Sequence, residues 1–307
     1  MLMTEKTETQ PNRRHALTML ASLGSALSSA CTISADYDHT GKDAPRYDAA
    51  LNRPARVTWV FSSGGPRGFV HIGVIKALEE LGLKPDLIVG GSAGALVGAL
   101  YASGMRAAQL EALAFDIGLL ELGRWAVWGE GKFDGAPIAA QVNEQIAAQT
   151  GLQNIEKLPI RFAAVAIEKT SRKAMVFNAG NVGLAVQASS AIEGMFTPVR
   201  IQGTQFVDAD LVVPLPVRLS RALGATKVLA VDASAHEDKA PASAQRFKEG
   251  DLRKRALTLP DALAAEVSLQ PDFGYFVNVS KEFRLRCIQA GYEQTMAKAQ
   301  VLKALHA

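Results

Sequence analysis

The chain has 307 residues, 48% of them apolar and 21% charged, the balance of a globular protein with a substantial core. Its 33 Lys and Arg against 30 Asp and Glu leave a net charge of only +3, and no basic run of five or more occurs, which excludes a nucleic-acid partner. The two cysteines and five histidines show no zinc-ligand spacing, so neither a metal nor another cofactor is expected.

Residues 1–30 read as an export signal. Arg13 and Arg14 supply a charged start, Ala16–Leu27 is an apolar stretch too short to span a bilayer, and Ser28-Ser29-Ala30 is a small-residue exit. Cys31 follows directly, as at a bacterial lipoprotein cleavage site. Lipidation of Cys31 and a membrane-anchored location facing the periplasm are therefore expected, with plain secretion after cleavage at Ala30 or Ala35 as the alternative. Residues 31–54, polar and without apolar periodicity, read as a tether.

From residue 55 onward, apolar runs of strand length alternate with stretches of helical period. This is the pattern of one α/β domain over 55–307, with three α/β/α layers and a largely parallel central sheet. Val57–Ser62 predicts a strand, Ser63–Gly68 a glycine turn, and Phe69–Leu81 a helix ending near Gly82. A second such unit follows at once: strand Leu87–Val89, turn Gly90–Gly94, and an Ala/Gly-rich helix to about Ala102. Residues 105–135 are irregular. Trp125 and Trp128 there form either an acyl-contacting wall or a cap on the core.

Pro137–Gln149 predicts a helix, and Ile160–Ile167 a strand with Ala174–Phe177 as its hairpin partner. A helix over Val182–Ile192 precedes a second hairpin, Val199–Ile201 with Gln205–Val207, which delivers Asp208 and Asp210 at its end. Leu215–Leu223 reads as a helix and Lys227–Val231 as a buried strand. Ala235–Arg255 reads as a solvated loop or a flap, Leu259–Val267 as a helix, and Ser280–Leu305 as one long helix ending in a frayed His306.

Gly90-Gly91-Ser92-Ala93-Gly94 is a G-x-S-x-G between a strand and a helix, the setting of a nucleophile elbow. Its serine sits on a sharp turn at a helix N-terminus, where backbone amides favour developing negative charge. Ser92 is therefore the candidate nucleophile, Gly90 and Gly94 frame its elbow, and the turn at Gly64, Gly65, Arg67 and Gly68 is the candidate oxyanion hole. Among the histidines only His236 is a plausible triad base, since His15 and His39 lie in the signal and tether, and His71 reads as a helix-surface or packing residue. An aspartate acting alone needs no histidine. Arg67 either holds a lipid phosphate or carboxylate or braces its loop through a salt bridge.

Gly64-Gly65-Pro66-Arg67-Gly68 ahead of Gly90–Gly94, then Ala188–Gly194 with Thr197-Pro198, then Phe206-Val207-Asp208-Ala209-Asp210 with Val213–Pro216, resemble the patatin-like phospholipase family over about 55–280. The resemblance implies a Ser92–Asp208 dyad, an oxyanion hole at the first glycine turn, no metal, and cleavage of acyl esters of phospholipids or related lipids at a membrane surface. Asp210 is the rival base. Two positions depart from the family pattern: Ala209 stands where glycine usually follows the aspartate, and Glu193 where proline is common. If position 209 needs a positive φ, alanine is strained there. A lipid-binding protein without turnover, or an acyltransferase or esterase with a histidine base, is the alternative.

Overall fold

The computed structural model describes residues 37–48, 54–116 and 131–307, together with the backbone of 124–125. The export segment, Cys31 and the side chains of Trp125 and Trp128 lie outside the described residues.

In chain order the elements are β1 (Asp38–His39), β2 (Ala55–Phe61), α1 (Phe69–Glu80), β3 (Leu87–Gly91), α2 (Ala93–Ala102), α3 (Ala107–Asp116), β4 (Arg124–Trp125), β5 (Phe133–Asp134) and α4 (Ala136–Thr150). There follow β6 (Arg161–Glu168), β7 (Ala174–Phe177), α5 (Val182–Ser189), β8 (Val199–Ile201), β9 (Thr204–Val207), α6 (Val217–Ala222), β10 (Ala225–Val231), α7 (Lys248–Leu263), β11 (Val267–Leu269), α8 (Lys281–Ala297) and α9 (Ala299–His306).

The main sheet runs β1-β8-β9-β6-β3-β2-β10-β11, with β7 also paired to β6. Its centre, β6-β3-β2-β10-β11, is parallel. The hairpins β6–β7 and β8–β9 and the pair β6–β9 are antiparallel. The central strands are buried on both faces, so they read as continuous apolar runs rather than alternating ones. One face, carrying Trp59, Phe61, Ile88 and Phe162, packs into a large core with residues of α1, α2, α4, α5, α8 and α9. The opposite face, carrying Val60, Val89, Val165 and Val228, packs under α6 and the end of α7. The three-layer α/β architecture expected from the sequence is the one observed.

The α1–α8 contact explains two glycines outside any turn. A Cβ on Gly73 would stand 1.8 Å from the Ile288 carbonyl oxygen, and one on Gly291 would stand 2.2 Å from that of Val70. Close backbone approach, not turn geometry, requires glycine at both.

Four local expectations differ from the structure. Residues 37–48 are docked rather than free: β1 pairs with β8, Arg46 bridges to Ala179, and the Asp38 carboxylate accepts from the Gly203 amide at 2.9 Å. The irregular stretch after 105 contains α3, whose Ala107 and Leu110 are buried. The expected surface loop at 235–255 holds two short 3-10 turns and the first half of α7. The long C-terminal helix breaks at Lys298, and His306 is not frayed. Its Nδ1 donates to the Leu302 carbonyl at 2.7 Å, and its Nε2 accepts from Trp59 Nε1 at 3.1 Å.

Candidate active site

The site lies where the parallel strands end at their carboxyl edge, the usual ligand side of such sheets. β3 delivers Ser92 there, and β2 delivers the glycine turn. β9, antiparallel to β6, ends opposite Ile167 and delivers Asp208 to the same edge.

Ser92 has φ 50° and ψ −121°, one of three described non-glycine residues with positive φ. Such a conformation is costly and persists only when its surroundings over-determine it. Here the Ser92 amide donates to Ser189 Oγ at 2.9 Å, Ser189 Oγ donates to the Val165 carbonyl at 2.5 Å, and the Ser92 carbonyl accepts from the Leu96 amide at 3.0 Å. The elbow glycines are required by proximity. A Cβ on Gly90 would meet the Gly94 carbonyl oxygen at 2.5 Å, and one on Gly94 would meet the Phe61 carbonyl oxygen at 2.4 Å. Neither has a positive φ.

Ser92 Oγ donates to Asp208 Oδ2 at 2.5 Å, and both residues are buried at 4% exposure. Burial raises the Asp208 carboxyl to about 7. The hydrogen bond from Ser92 opposes that rise, and the nearby Asp210 charge adds to it. A carboxylate so displaced is a far better base toward an alcohol than one in water. Asp208 Oδ1 also accepts from the Asp210 amide at 2.8 Å, which fixes the carboxylate plane.

The rival aspartate is engaged elsewhere. Asp210 accepts from Ser63 Oγ and from Lys254 Nζ of α7, the latter at 2.5 Å. Burial alone would raise its carboxyl, but the Lys254 charge, with its hydrogen bond and that of Ser63, outweighs burial and holds it below the ordinary range. Asp210 is therefore a fixed anion beside the Ser92–Asp208 pair.

Ala209 is buried, is absent from the positive-φ residues, and its carbonyl accepts from the Val213 amide at 2.8 Å. The strain expected there does not exist. Glu193, the second departure, is at the surface and pairs with Arg172 at 2.9 Å.

Gly65 has φ 53° and opens a 3-10 turn, Gly65–Gly68, whose Arg67 amide donates back to the Gly64 carbonyl at 3.1 Å. The turn rests directly on the elbow: a Cβ on Gly68 would come within 2.4 Å of Ala93 Cβ. Among the described residues the Gly64 and Gly65 amides have no hydrogen-bond acceptor. Two donors beside Ser92 are what an oxyanion hole needs. Arg67 forms no salt bridge among the described residues, so of its two readings the bracing one is not seen. Its charge acts on Asp210, and its Nε is buried without a partner.

His71 and His236 are committed away from Ser92. His71 Nε2 donates to the Ser62 carbonyl at 2.9 Å, and burial presses its pKa down to about 4, so the ring is a neutral core group. His236 Nε2 donates to the Gln270 carbonyl at 3.1 Å. Cys287 is fully buried in α8, and burial pushes its thiol up to about 12.

Sequence reasoning missed Ser63, Ser189 and Lys254. Ser189 stood within a quoted block without a role. Lys254 lies 44 positions from Asp210 in a stretch read as a loop, so nothing local connects them.

Comparison with known proteins follows the same lines. The family model described as patatin-like phospholipase matches residues 59–219. The chain is 32% identical over 184 residues to an uncharacterized NTE family protein of Mycobacterium tuberculosis, covering 59% of this chain and 50% of that one. It is 31% identical over 184 residues to the lysophospholipase NTE1 of Coccidioides immitis, covering 59% of this chain and 12% of that one. The chain thus spans half or less of the length of these curated relatives. Among solved structures it resembles VipD from Legionella pneumophila, with a TM-score of 0.51 at 15% identity over 92% of this chain and 73% of that one. That likeness is one of fold.

Proposed function

Because the chain belongs to the patatin-like phospholipase family, we propose that it is a lipid acyl hydrolase working through a Ser92–Asp208 dyad on phospholipids or lysophospholipids. The 2.5 Å hydrogen bond between two buried side chains, one on a positive-φ elbow and the other with its carboxyl raised to about 7, carries this reading. Ser92 Oγ attacks the ester carbonyl carbon as its proton passes to Asp208, and the Gly64 and Gly65 amides receive the oxyanion. The C–O bond then breaks, and the leaving alcohol takes the proton. A water deprotonated by Asp208 next attacks the acyl-serine, and the acyl C–Oγ bond breaks as Oγ takes that proton from Asp208, releasing the fatty acid and restoring Ser92. Loss of one oxyanion donor typically costs on the order of 10²–10³ in rate. His71 and His236 each spend Nε2 on a backbone carbonyl, which supports Asp208 as the base.

We further propose that residues 1–30 direct export and that Cys31 anchors the protein by a lipid at a membrane surface facing the periplasm. No helix among the described residues is long and apolar enough to cross a membrane.

The dyad is tested by fluorophosphonate labelling and lysophospholipid hydrolysis in wild type, Ser92→Ala, Asp208→Asn and His236→Ala. Labelling and hydrolysis should be lost in the first two variants and kept in the third. Hydrolysis surviving Ser92→Ala would refute the assignment. Anchoring is tested by metabolic palmitate labelling, expected to vanish in Cys31→Ala.

A further inference from the structure

An apolar cleft of about 640 Å³, counted out to its open mouth, lies between α1, α2, α3 and α4. Phe69, Leu96, Leu100, Leu113 and Ile138 line it, and the only polar side chains in its wall are Gln141 and Gln145 of α4. Phe69, Leu96 and Leu113 remain partly exposed, so apolar surface is left unburied inside a well-packed domain.

Two of the cleft's walls begin next to the glycine turn and the elbow. Phe69 directly follows Gly68, the last residue of the glycine turn. Leu96 and Leu100, four apart, lie on one face of α2, the helix that Ser92 precedes. The Leu96 amide bonds to the Ser92 carbonyl at 3.0 Å, so the first wall residue is one turn from the nucleophile. From Ser92 to Leu100 the helix rises about 12 Å. Along α4 the lining positions Ile138, Gln141 and Gln145 cover about two turns, roughly 10 Å.

We propose that this cleft holds the acyl chain of the ester and selects medium-length chains of octanoyl to decanoyl size. This rests on Ser92 being the nucleophile. An acyl chain fits because it is the one part of a lipid ester that is unbranched, uncharged and attached directly at the carbonyl which Ser92 attacks. The apolar wall beside the nucleophile gains from each methylene it covers, and the gain ends where Leu100 and the two glutamine carboxamides are reached. A butanoyl chain leaves the wall wet beyond Leu96. A palmitoyl chain must carry its tail past Gln145 into solvent.

The test has two arms. In the first, kcat/KM is measured on p-nitrophenyl butanoate, octanoate and palmitate for wild type, Leu100→Trp and Ser92→Ala. Wild type should favour octanoate over butanoate by about 10- to 100-fold, a few methylenes' worth of burial. Leu100→Trp, which fills the inner end, should lower that ratio at least about tenfold. In the second arm, 11-(dansylamino)undecanoic acid binding is followed by fluorescence in Ser92→Ala and in Ser92→Ala with Leu100→Trp, which needs no turnover. The double variant should bind at least about tenfold more weakly. Should Leu100→Trp fail to melt cooperatively, Gln145→Trp on the α4 wall replaces it in both arms and should likewise lower the ratio and the binding. An unchanged octanoate-to-butanoate ratio, or probe binding indifferent to both tryptophans, overturns the pocket even if Ser92-dependent hydrolysis is intact. Hydrolysis that persists in Ser92→Ala overturns the dyad instead, while the binding arm still decides the cleft.

Discussion

The two halves of the proposed dyad are built by contrasting means. On the serine side, the backbone is pressed together until only glycine fits: Gly68, Gly90 and Gly94 each leave less than 2.6 Å for a Cβ. On the aspartate side there is no such crowding. Ala209 occupies the position after Asp208 in ordinary conformation, packed among Val207, Leu215 and Val217. The serine's strained φ is held chiefly by steric confinement, with the bond from its amide to Ser189 Oγ. The aspartate is held by hydrogen bonds, from the Asp210 amide to its carboxylate and from its own amide to the Ala191 carbonyl. Substitutions should therefore act through shape on one side and through charge on the other.

Removing a reacting group gives the largest effect on either side. Ser92→Ala and Asp208→Asn should each lower kcat/KM by about 10³-fold or more, measured on a soluble ester. The two should part company in stability. Asp208 titrates near 7 in the fold against an ordinary 3.8, so between those values the native chain holds a proton that the unfolded chain has lost. Stability from this group is therefore lost as pH rises from about 4 to 7. Asp208→Asn keeps the shape and removes the titration, so its Tm should exceed that of wild type at pH 8 and approach it at pH 4. A lower Tm at pH 8 would show that the carboxylate is not held against its own burial.

Gly94→Ala breaks the serine side by shape alone. Its methyl would stand 2.4 Å from the Phe61 carbonyl oxygen and 2.6 Å from that of Ser62, and backbone atoms cannot rotate away as a side chain would. A loss of about 1–3 kcal/mol in unfolding free energy is expected from overpacking. A displaced Ser92 should also cost about 10²-fold in kcat. Full activity with unchanged Tm would mean the elbow is looser than its spacing suggests.

How much of this was legible in the sequence follows the same division. The parallel core could be read because β2, β3, β6 and β10 are apolar on both faces, and the serine side because steric confinement leaves glycines behind at fixed spacing. Charge placement leaves no such local trace. Lys254 is recognisable only once α7 brings it onto Asp210, and the polar, Ala-rich run before it looks like a loop. The doubt about Ala209 arose from treating every glycine of a motif as a positive-φ glycine. In this chain Gly90, Gly91 and Gly94 lack positive φ, and Gly90 and Gly94 are required by close approach. His306 was misjudged because proximity to a chain end says nothing about burial against Trp59.

Charge on the aspartate side can be broken without touching either reacting group. Burial raises Asp208, the Asp210 charge raises it further, and Lys254 lowers it. The active form of the base is the carboxylate, so kcat/KM should rise with pH through about 7 in wild type. Lys254→Met removes the lowering charge and should move that acid limb to higher pH. At pH 7 kcat/KM should fall roughly 3- to 10-fold, with a smaller loss at pH 9. Lys254→Arg should return the limb toward its wild-type position. A uniform loss at all pH values would instead mark Lys254 as a packing residue.

The smallest effect is expected where the family pattern predicts the largest gain. If alanine were strained at position 209, Ala209→Gly would relieve it, raising both Tm and kcat/KM. The structure dictates the opposite sign. Ala209 has no positive φ, and its methyl is fully buried among Val207, Leu215 and Val217. Deleting that methyl forfeits about 0.8 kcal/mol of burial. Glycine also adds roughly 0.5–1 kcal/mol of backbone freedom to the unfolded chain. Ala209→Gly should therefore lower unfolding free energy by about 1–2 kcal/mol, read by urea titration. Its kcat/KM should stay within about threefold of wild type, because Asp208 is still fixed by the Asp210 amide. A gain in either quantity would place the confinement seen around Ser92 on the aspartate side as well.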